Sequence, residues 1–158
     1  MERSMEELIQ GLKSADELEV LDVSGLLEIN AEQSVDLLID SLNDEDKNIR
    51  LNSAKILGYI HDPKAINPLI DTLRDNNKLV RREASTALSN MGEAALEPLI
   101  KILDDPDWKV RGAAAWALGN IKDEKAVPYL EKLLDDESGF VKTGANNAIN
   151  HIKTAAKS

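Results

Sequence analysis

The sequence predicts an all-α fold, a solenoid of about five antiparallel helix pairs stacked side by side. Three observations predict it. A segment of about 31 residues recurs four times, starting at Ser34, Ala65, Ala95 and Ala126. Within each copy the apolar residues recur four positions apart, which puts them on one helical face. Aromatic residues make up only 3% of the chain and no β-branched alternation occurs, so nothing favours a sheet sandwich.

In the first helix of each copy, Leu38, Leu69, Leu99 and Leu130 fill one column, and Leu42, Leu73, Leu103 and Leu134 fill the column four residues on. The second helix repeats Ile49, Val80, Val110 and Val141, then Ser53, Ala84, Ala114 and Ala145. Further along come Leu57, Leu88, Leu118 and Ile149, and finally Ile60, Met91, Ile121 and Ile152. Helices of about ten residues are marginal alone, so cohesion must come from stacking on neighbours. Pro68, Pro98 and Pro128 mark the first turns of the first helices, where amide hydrogens have no helical acceptor. Ile60 to Ala65 and Ile121 to Ala126 are five apart but Met91 to Ala95 only four, so that loop is one residue short.

These marks divide residues 1–158, read as a single solenoid, into full repeats at 34–64, 65–94, 95–125 and 126–158. Residues 1–33 read as a degenerate capping repeat, with Leu8, Ile9 and Leu12 on one helix and Val20, Val23, Leu26 and Leu27 on the next. The last repeat reads as the other cap. It has Glu131 where Ile39, Ile70 and Ile100 stand, and Asn146 and Asn150 where small residues prevail. The tail from Lys153 to Ser158 carries no packing signal.

Composition bounds the function. The chain has 29 acidic and 19 basic residues, a net charge of −10, and no basic stripe, which argues against nucleic acid as a partner. With no cysteine there are no disulfides and no thiolate metal ligands. Met1 to Leu12 is charged and lacks a signal-type apolar stretch, and no segment is long enough to span a bilayer. The expectation is a cytoplasmic, monomeric protein that does not contact membranes.

The loop inside each copy is acidic, and acids ahead of a helix suit its free amides and its positive end. An acid and a base recur six residues apart: Asp44 with Arg50, Asp75 with Arg81, Asp105 with Arg111, and Asp136 with Lys142. The acid reads as the cap that closes the loop and the base as the start of the second helix. Stacking then brings them into a structural ladder of charge-assisted hydrogen bonds that sets register. An anion-binding row of arginines is the competing reading, and the presence of an acid for every base favours structure.

Here the chain resembles a known family. The stretches Ala65-Ile66-Asn67-Pro68-Leu69-Ile70, Ala95-Leu96-Glu97-Pro98-Leu99-Ile100 and Val110 to Gly119, together with the six-spaced acid and base, resemble the HEAT-type α-helical repeats. Within them they resemble the short class known as phycobilisome-lyase HEAT-like repeats, of the armadillo-like helical type. The resemblance covers residues 34 to 152 and extends weakly to the first unit. It implies a right-handed α-α superhelix, an acid–base ladder between repeats, and a concave face lined by the second helices. Lys142 departs from the family's arginine and weakens the last rung, because lysine cannot bond bidentately.

The second helices leave one stripe open. It runs through Leu51, Asn52, Lys55 and Tyr59, then Arg82, Glu83, Thr86 and Asn90, then Gly112, Ala113, Trp116 and Asn120, and last Thr143, Gly144, Asn147 and His151. Trp116 is its centre, in the polar, amide-rich setting that protein interfaces favour. Two readings of Trp116 stay open: an anchor for a partner, or a ring lying flat over Gly112 and Ala113. Tyr59 reads as a half-buried helix residue, and Trp108 as a staple ahead of its helix.

Two activities known on relatives of this repeat are weighed against the residues present. A di-iron hydroxylase of this fold takes its ligands from His-Glu dipeptides, whereas this chain has two histidines, in His61-Asp62 and His151-Ile152, and no such dipeptide. Attachment of bilin chromophores would need a distinctive catalytic pair, and none is present. The acid-rich loops lack the pattern of a calcium-binding EF-hand. The sequence is therefore read as a non-catalytic scaffold or adaptor with no cofactor, metal or catalytic residue. It would bind a protein partner, with the acidic surplus favouring a basic one, on the concave face through Leu51, Lys55, Tyr59, Arg82, Glu83, Thr86, Asn90, Trp116, Asn120 and Asn147. The alternative is an accessory factor in maturing tetrapyrrole, bilin or other cofactor proteins.

Overall fold

The structure, a computed structural model, describes residues 2–158. Among them every regular element is helical, and the chain divides into two compact units, Met1–Ala87 and Leu88–Ser158.

The first unit contains α1 (Met5–Gly11), α2 (Glu17–Ile29), α3 (Ala31–Ser41), α4 (Lys47–Ile60), α5 (Ile66–Thr72) and α6 (Lys78–Asn90) as far as Ala87. Each start has a local cause. Ser4 opens α1 with a capping box: its Oγ accepts from the Glu7 amide at 3.2 Å, and Glu7 Oε2 accepts from the Ser4 amide at 2.7 Å. Asp16 caps α2 by accepting from the Leu18 amide at 2.9 Å. A single residue, Asn30, joins α2 to α3. The reversal is held by side chains, because Asn30 Nδ2 donates to the Leu26 carbonyl and the buried Ser34 hydroxyl to the Leu27 carbonyl, both at 2.7 Å. The core of this unit is the set of columns read from the sequence. Leu38, Leu57, Leu69 and Leu73 are wholly buried, as are Leu12, Val23 and Leu27 ahead of them. Each such side chain contributes roughly 1.5–3 kcal/mol by leaving water. Leu26, expected inside, is 41% exposed, because α2 buries the face carrying Val23 and Leu27.

The second unit contains α7 (Glu93–Lys101), α8 (Trp108–Ile121), α9 (Val127–Glu131) and α10 (Gly139–Ala156). Val110, Ala114 and Leu118 of α8 and Val141, Ala145 and Ile152 of α10 are wholly buried. Small residues let these two helices touch. A Cβ added to Gly119 would lie 2.8 Å from Ala148 Cα and 2.9 Å from its Cβ.

Two expectations fail here. Pro98 lies inside α7 and not in its first turn. The cause is the short loop. Before α5 and before α9, an aspartate caps a 3₁₀ turn, Asp62 over Pro63–Ala65 and Asp123 over Glu124–Ala126, and the helix follows. With one residue fewer, Gly92 leads directly into a helix beginning at Glu93, so the proline falls later in it. Leu134 is the second miss, 40% exposed while Leu133 is buried. After α9 the chain winds as a 3₁₀ turn, Lys132–Asp135, in which residues three apart eclipse, so Leu133 and not Leu134 falls under Leu130.

Helices α4 and α8 end alike: His61 and Lys122 follow them with φ of 61° and 63°, the left-handed conformation that terminates a helix. After α6 the chain passes through Met91 to Gly92, whose φ of 60° is paired with a ψ of −133°, outside that region. At His61 and Lys122 the amide still donates to the carbonyl four residues back, Leu57 and Leu118, at 3.2 Å.

Glycine and serine positions give direct tests. Gly119→Ala should lower stability by about 1–3 kcal/mol despite alanine's better helix propensity, because its methyl group meets backbone. Gly112→Ala, where nothing lies within 4 Å of the added carbon, should raise stability by about 0.5–1 kcal/mol. Ser53 stands in a column otherwise of alanines and its buried hydroxyl has no hydrogen-bond partner. Ser53→Ala should therefore stabilise by about 1 kcal/mol or more. Urea midpoints followed by circular dichroism read all three.

Candidate functional site

The arginines are placed by their own loops. Arg50 Nη1 donates to the Asp44 carbonyl at 2.8 Å and to the Glu45 carbonyl at 3.1 Å. Arg111 Nη1 does the same to Asp105 and Pro106, at 2.8 and 3.2 Å, and Arg81 Nη1 reaches the Asp75 carbonyl at 2.6 Å. The six-residue spacing therefore joins the base to its acid's backbone, not to its carboxylate. The carboxylate partner comes 25 residues later. Arg50 Nε and Nη2 bond Asp75 at 2.8 and 3.2 Å, and Arg111 Nε and Nη2 bond Asp136 at 2.8 and 2.9 Å. Each pair is bidentate and nearly enclosed, with side chains between 8% and 14% exposed.

The acids do not cap the second helices themselves. In all four loops the cap sits two residues further on, at Asp46, Asn77, Asp107 and Ser138. Asp44, Asp75, Asp105 and Asp136 each accept from the amide of that cap residue at 2.8–2.9 Å and so hold it in place. One carboxylate thus orders the loop with one oxygen and, at Asp75 and Asp136, receives the preceding arginine as well. Lys142 makes no ion pair or side-chain hydrogen bond among the described residues. It acts on Asp136 only through its charge.

Arg111 donating to Asp136 holds that carboxyl below its ordinary value, helped by the Ser138 amide and the positive fields of Arg111 and Lys142, and opposed by burial. The same hydrogen bond raises Arg111. A lowered native pKa stabilises the fold at pH values above the ordinary carboxyl range, and that stability is lost as pH falls through the native value.

The open stripe is described unit by unit. In the first, Lys55 and Arg82 are exposed, Leu51 and Glu83 are half-buried, and the Thr86 hydroxyl donates to the Arg82 carbonyl at 3.0 Å. Tyr59 is 55% exposed and not half-buried as expected, because the column at Ile56 and Leu57 takes the inward positions of its turn. Asn52 serves structure, its Nδ2 donating to the Leu12 carbonyl at 2.8 Å. Tyr59, Lys55 and Ile56 form one wall of a groove of about 680 Å³ whose other wall is α2, with Leu18, Leu21 and Glu28. The sequence reading missed this wall. Its signal was available: Leu18, Val20, Leu21, Val23, Leu26, Leu27 and Ile29 make α2 apolar all round.

In the second unit Trp116 is 46% exposed, Asn90, Asn147 and His151 are exposed, and Gly112, Ala113 and Asn120 are partly so. Asn120 Nδ2 donates to the Trp116 carbonyl at 2.9 Å. The ring does not lie over Gly112, since no atom comes within 4 Å of a carbon built there. Trp108 is the first residue of α8, not a staple ahead of it, and it stacks on Phe140 with ring centroids 5.6 Å apart. A second groove, about 900 Å³, runs along the first-helix side between Tyr129, Lys132, Ile100 and the acids Asp104 and Glu137. Among the described residues no group of three or more His, Asp or Glu could hold a metal, and no helix is long and apolar enough to cross a membrane.

Against known families, the HEAT-repeat signature matches residues 5–89 and again 66–150. The chain belongs to the HEAT-repeat family. Solved structures agree on a helical-repeat superhelix. One from the complex of CpcE and CpcF of phycocyanin lyase from Nostoc sp. PCC7120 is 25% identical with a TM-score of 0.60, over 98% of this chain and 66% of that one. An engineered protein is 25% identical with a TM-score of 0.50, over 95% of this chain and 79% of that one. YibA of Escherichia coli is 24% identical with a TM-score of 0.58, over 96% of this chain and 59% of that one. This HEAT chain therefore spans just under two thirds of the phycocyanin lyase chain it resembles. No curated protein sequence matches it.

The two kinds of aspartate separate the arginine bridge from the turn. Asp136→Asn keeps an acceptor for the Ser138 amide and removes the charge under Arg111, so stability at neutral pH should fall by about 1–3 kcal/mol. The residue 25 positions before Asp44 is Glu19, not a base, so Asp44→Asn should cost less than about 0.5 kcal/mol. The deficit of Asp136→Asn should shrink as pH drops below the carboxyl range. Denaturant midpoints at neutral and acid pH measure both.

Proposed function

We propose that this HEAT-repeat chain is a non-catalytic scaffold whose second helices hold a segment of a partner protein. The observation that carries this reading is Trp116, a large ring 46% exposed on a second helix with open glycine and amide side chains beside it. Aromatic rings in such settings dominate the binding energy of protein interfaces. Within the second unit the exposed Asn90 and Asn147 would supply polar contacts, and on second helices of the first unit Tyr59, Lys55 and Arg82 are likewise exposed. The best-ordered charged groups offer no alternative chemistry, because Arg50, Arg111, Asp75 and Asp136 are consumed in holding the fold. His61 serves as a left-handed helix terminator. The acidic surplus favours a basic partner through steering.

A second reading rests on one likeness. The phycocyanin lyase structure is a complex of two chains, and a role as an accessory in bilin attachment would make this chain one member of such a pair. A chromophore absorbance in protein purified from its native cell would favour that reading.

Trp116→Ala tests the scaffold. Partner capture from native lysate should weaken by about tenfold or more while helicity and melting stay unchanged. A loss of helicity instead would make the ring part of the core and remove the proposal's main support.

A further inference from the structure

The most exposed apolar side chains of α2 turn away from everything the first unit buries. Leu18, Leu21 and Ile29 are 72%, 68% and 82% exposed, whereas Val23 and Leu27 on the opposite side are wholly buried. Leu18 and Leu21 line the groove shared with Lys55, Ile56 and Tyr59 of α4. Ile29 lies eleven residues past Leu18, which returns it to within about 20° of the same face. Exposed apolar side chains gathered on one helix face, two of them lining a groove, are the kind of surface that marks an interaction site. Helix α10 differs, since beyond Phe140, which stacks on Trp108, its exposed side chains include the polar Thr143, Asn146, Asn147 and Asn150.

Charge selects the occupant. Helix α2 carries Glu17, Glu19, Asp22 and Glu28 and no base, and Arg3 and Lys13 are the only bases in residues 1–33. Glu17 and Glu28 line the groove, against the single base Lys55. Two copies of this face would bring like charges together, which costs association free energy. A partner with basic flanks gains where a second copy loses.

We propose that the α2–α4 groove binds an amphipathic helix of a partner protein, with apolar side chains spaced i, i+4 and i+7 and lysine or arginine on both flanks. This rests on the scaffold reading above and gives that partner a chemistry. The apolar side chains enter between Leu21 and Tyr59 while the flanking cations meet Glu17 and Glu28. The α4 wall is held before binding, because Asn52 Nδ2 donates to the Leu12 carbonyl at the end of α1 at 2.8 Å, which reduces the order to be gained on association.

The probe is a fluorescein-labelled synthetic helix of about fourteen residues with leucines at that spacing and lysine flanks, titrated by anisotropy into the full chain. A sibling peptide carries glutamate for every lysine. The lysine peptide should bind at least about tenfold more tightly than its sibling, and added salt should weaken it. The triple variant Leu18→Ser, Leu21→Ser, Ile29→Ser should lose about tenfold or more in affinity with circular dichroism unchanged. Glu17→Lys with Glu28→Lys should reverse the preference between the two peptides, which keeps the test decisive should the triple variant not fold. Equal binding of both peptides, no binding of either, or indifference to both sets of substitutions overturns the proposal. So does a wild-type dimer by light scattering that the triple variant converts to monomer, since a second copy would then fill the groove. Trp116→Ala separates the two readings. If it alone abolishes peptide binding, the second-helix surface stands and this groove falls. If partner capture proves indifferent to Trp116→Ala while the α2 variants behave as expected, the groove stands without that anchor.

Discussion

One side chain, the arginine in the first turn of a second helix, ties its own loop to the loop of the next copy. Arg50 and Arg111 each hold two carbonyls of their own loop and both oxygens of an aspartate 25 residues on. That aspartate in turn fixes the residue that caps the next second helix. The chain of causes runs from guanidinium to carboxylate to loop to helix start. Apolar columns alone would let stacked helices slide, because a leucine column is much the same one turn higher. A planar fork with donors at fixed angles accepts only one register. Lysine has no fork, and Lys142 in the equivalent position makes no such contact.

The packing explains why the other face is free. In α4 and α8 the small or apolar residues Ser53, Ala54 and Leu57, or Ala114, Ala115 and Leu118, are buried, so the turns that carry them have no inward room for a large ring. Tyr59 and Trp116 occupy the remaining arc and stay in water. Exposure of these rings follows from helix geometry as much as from their chemistry. The open glycines, by contrast, serve no close approach: Gly112 and Gly144 have nothing within 4 Å of an added carbon, whereas Gly119 is pressed against Ala148. Glycine at 112 and 144 gives up helix propensity without a packing gain, which suits positions kept bare beside Trp116.

Most of the fold was legible because a helical period repeated four times averages out local accidents. The columns at Leu38, Ile49 and Leu57 and their counterparts are buried as read. What was not legible depends on single insertions or on turn type. Leu134 misled because a 3₁₀ turn replaces spacing four by spacing three, and Pro98 because one absent residue removed the turn ahead of it. The six-residue acid–base spacing was visible, but a backbone carbonyl leaves no mark in a sequence, so the arginine's hold on its own loop was not read. At the site, the second-helix stripe was readable from offsets, but the α2 wall was not. Its poor fit to the repeat invited the reading of a cap, which hid the apolar residues left over once Val23 and Leu27 were accounted for.

A capping helix and a binding helix make opposite demands on the same positions. A capping helix must turn a polar side to water, and α10 exposes Asn146, Asn147 and Asn150, with Phe140 stacked on Trp108 as the apolar exception. Helix α2 keeps Leu18, Leu21 and Ile29 in water, at a cost in solubility that aliphatic side chains impose and stacking within the unit does not recover. The acids interleaved with them offset that cost by keeping copies apart. They also narrow the choice of partner, since only a surface that is apolar in the middle and cationic at its edges gains from both features. Hydrophobic content and negative charge on one helix are thus a single device: the first supplies affinity, and the second prevents its expenditure on self-association.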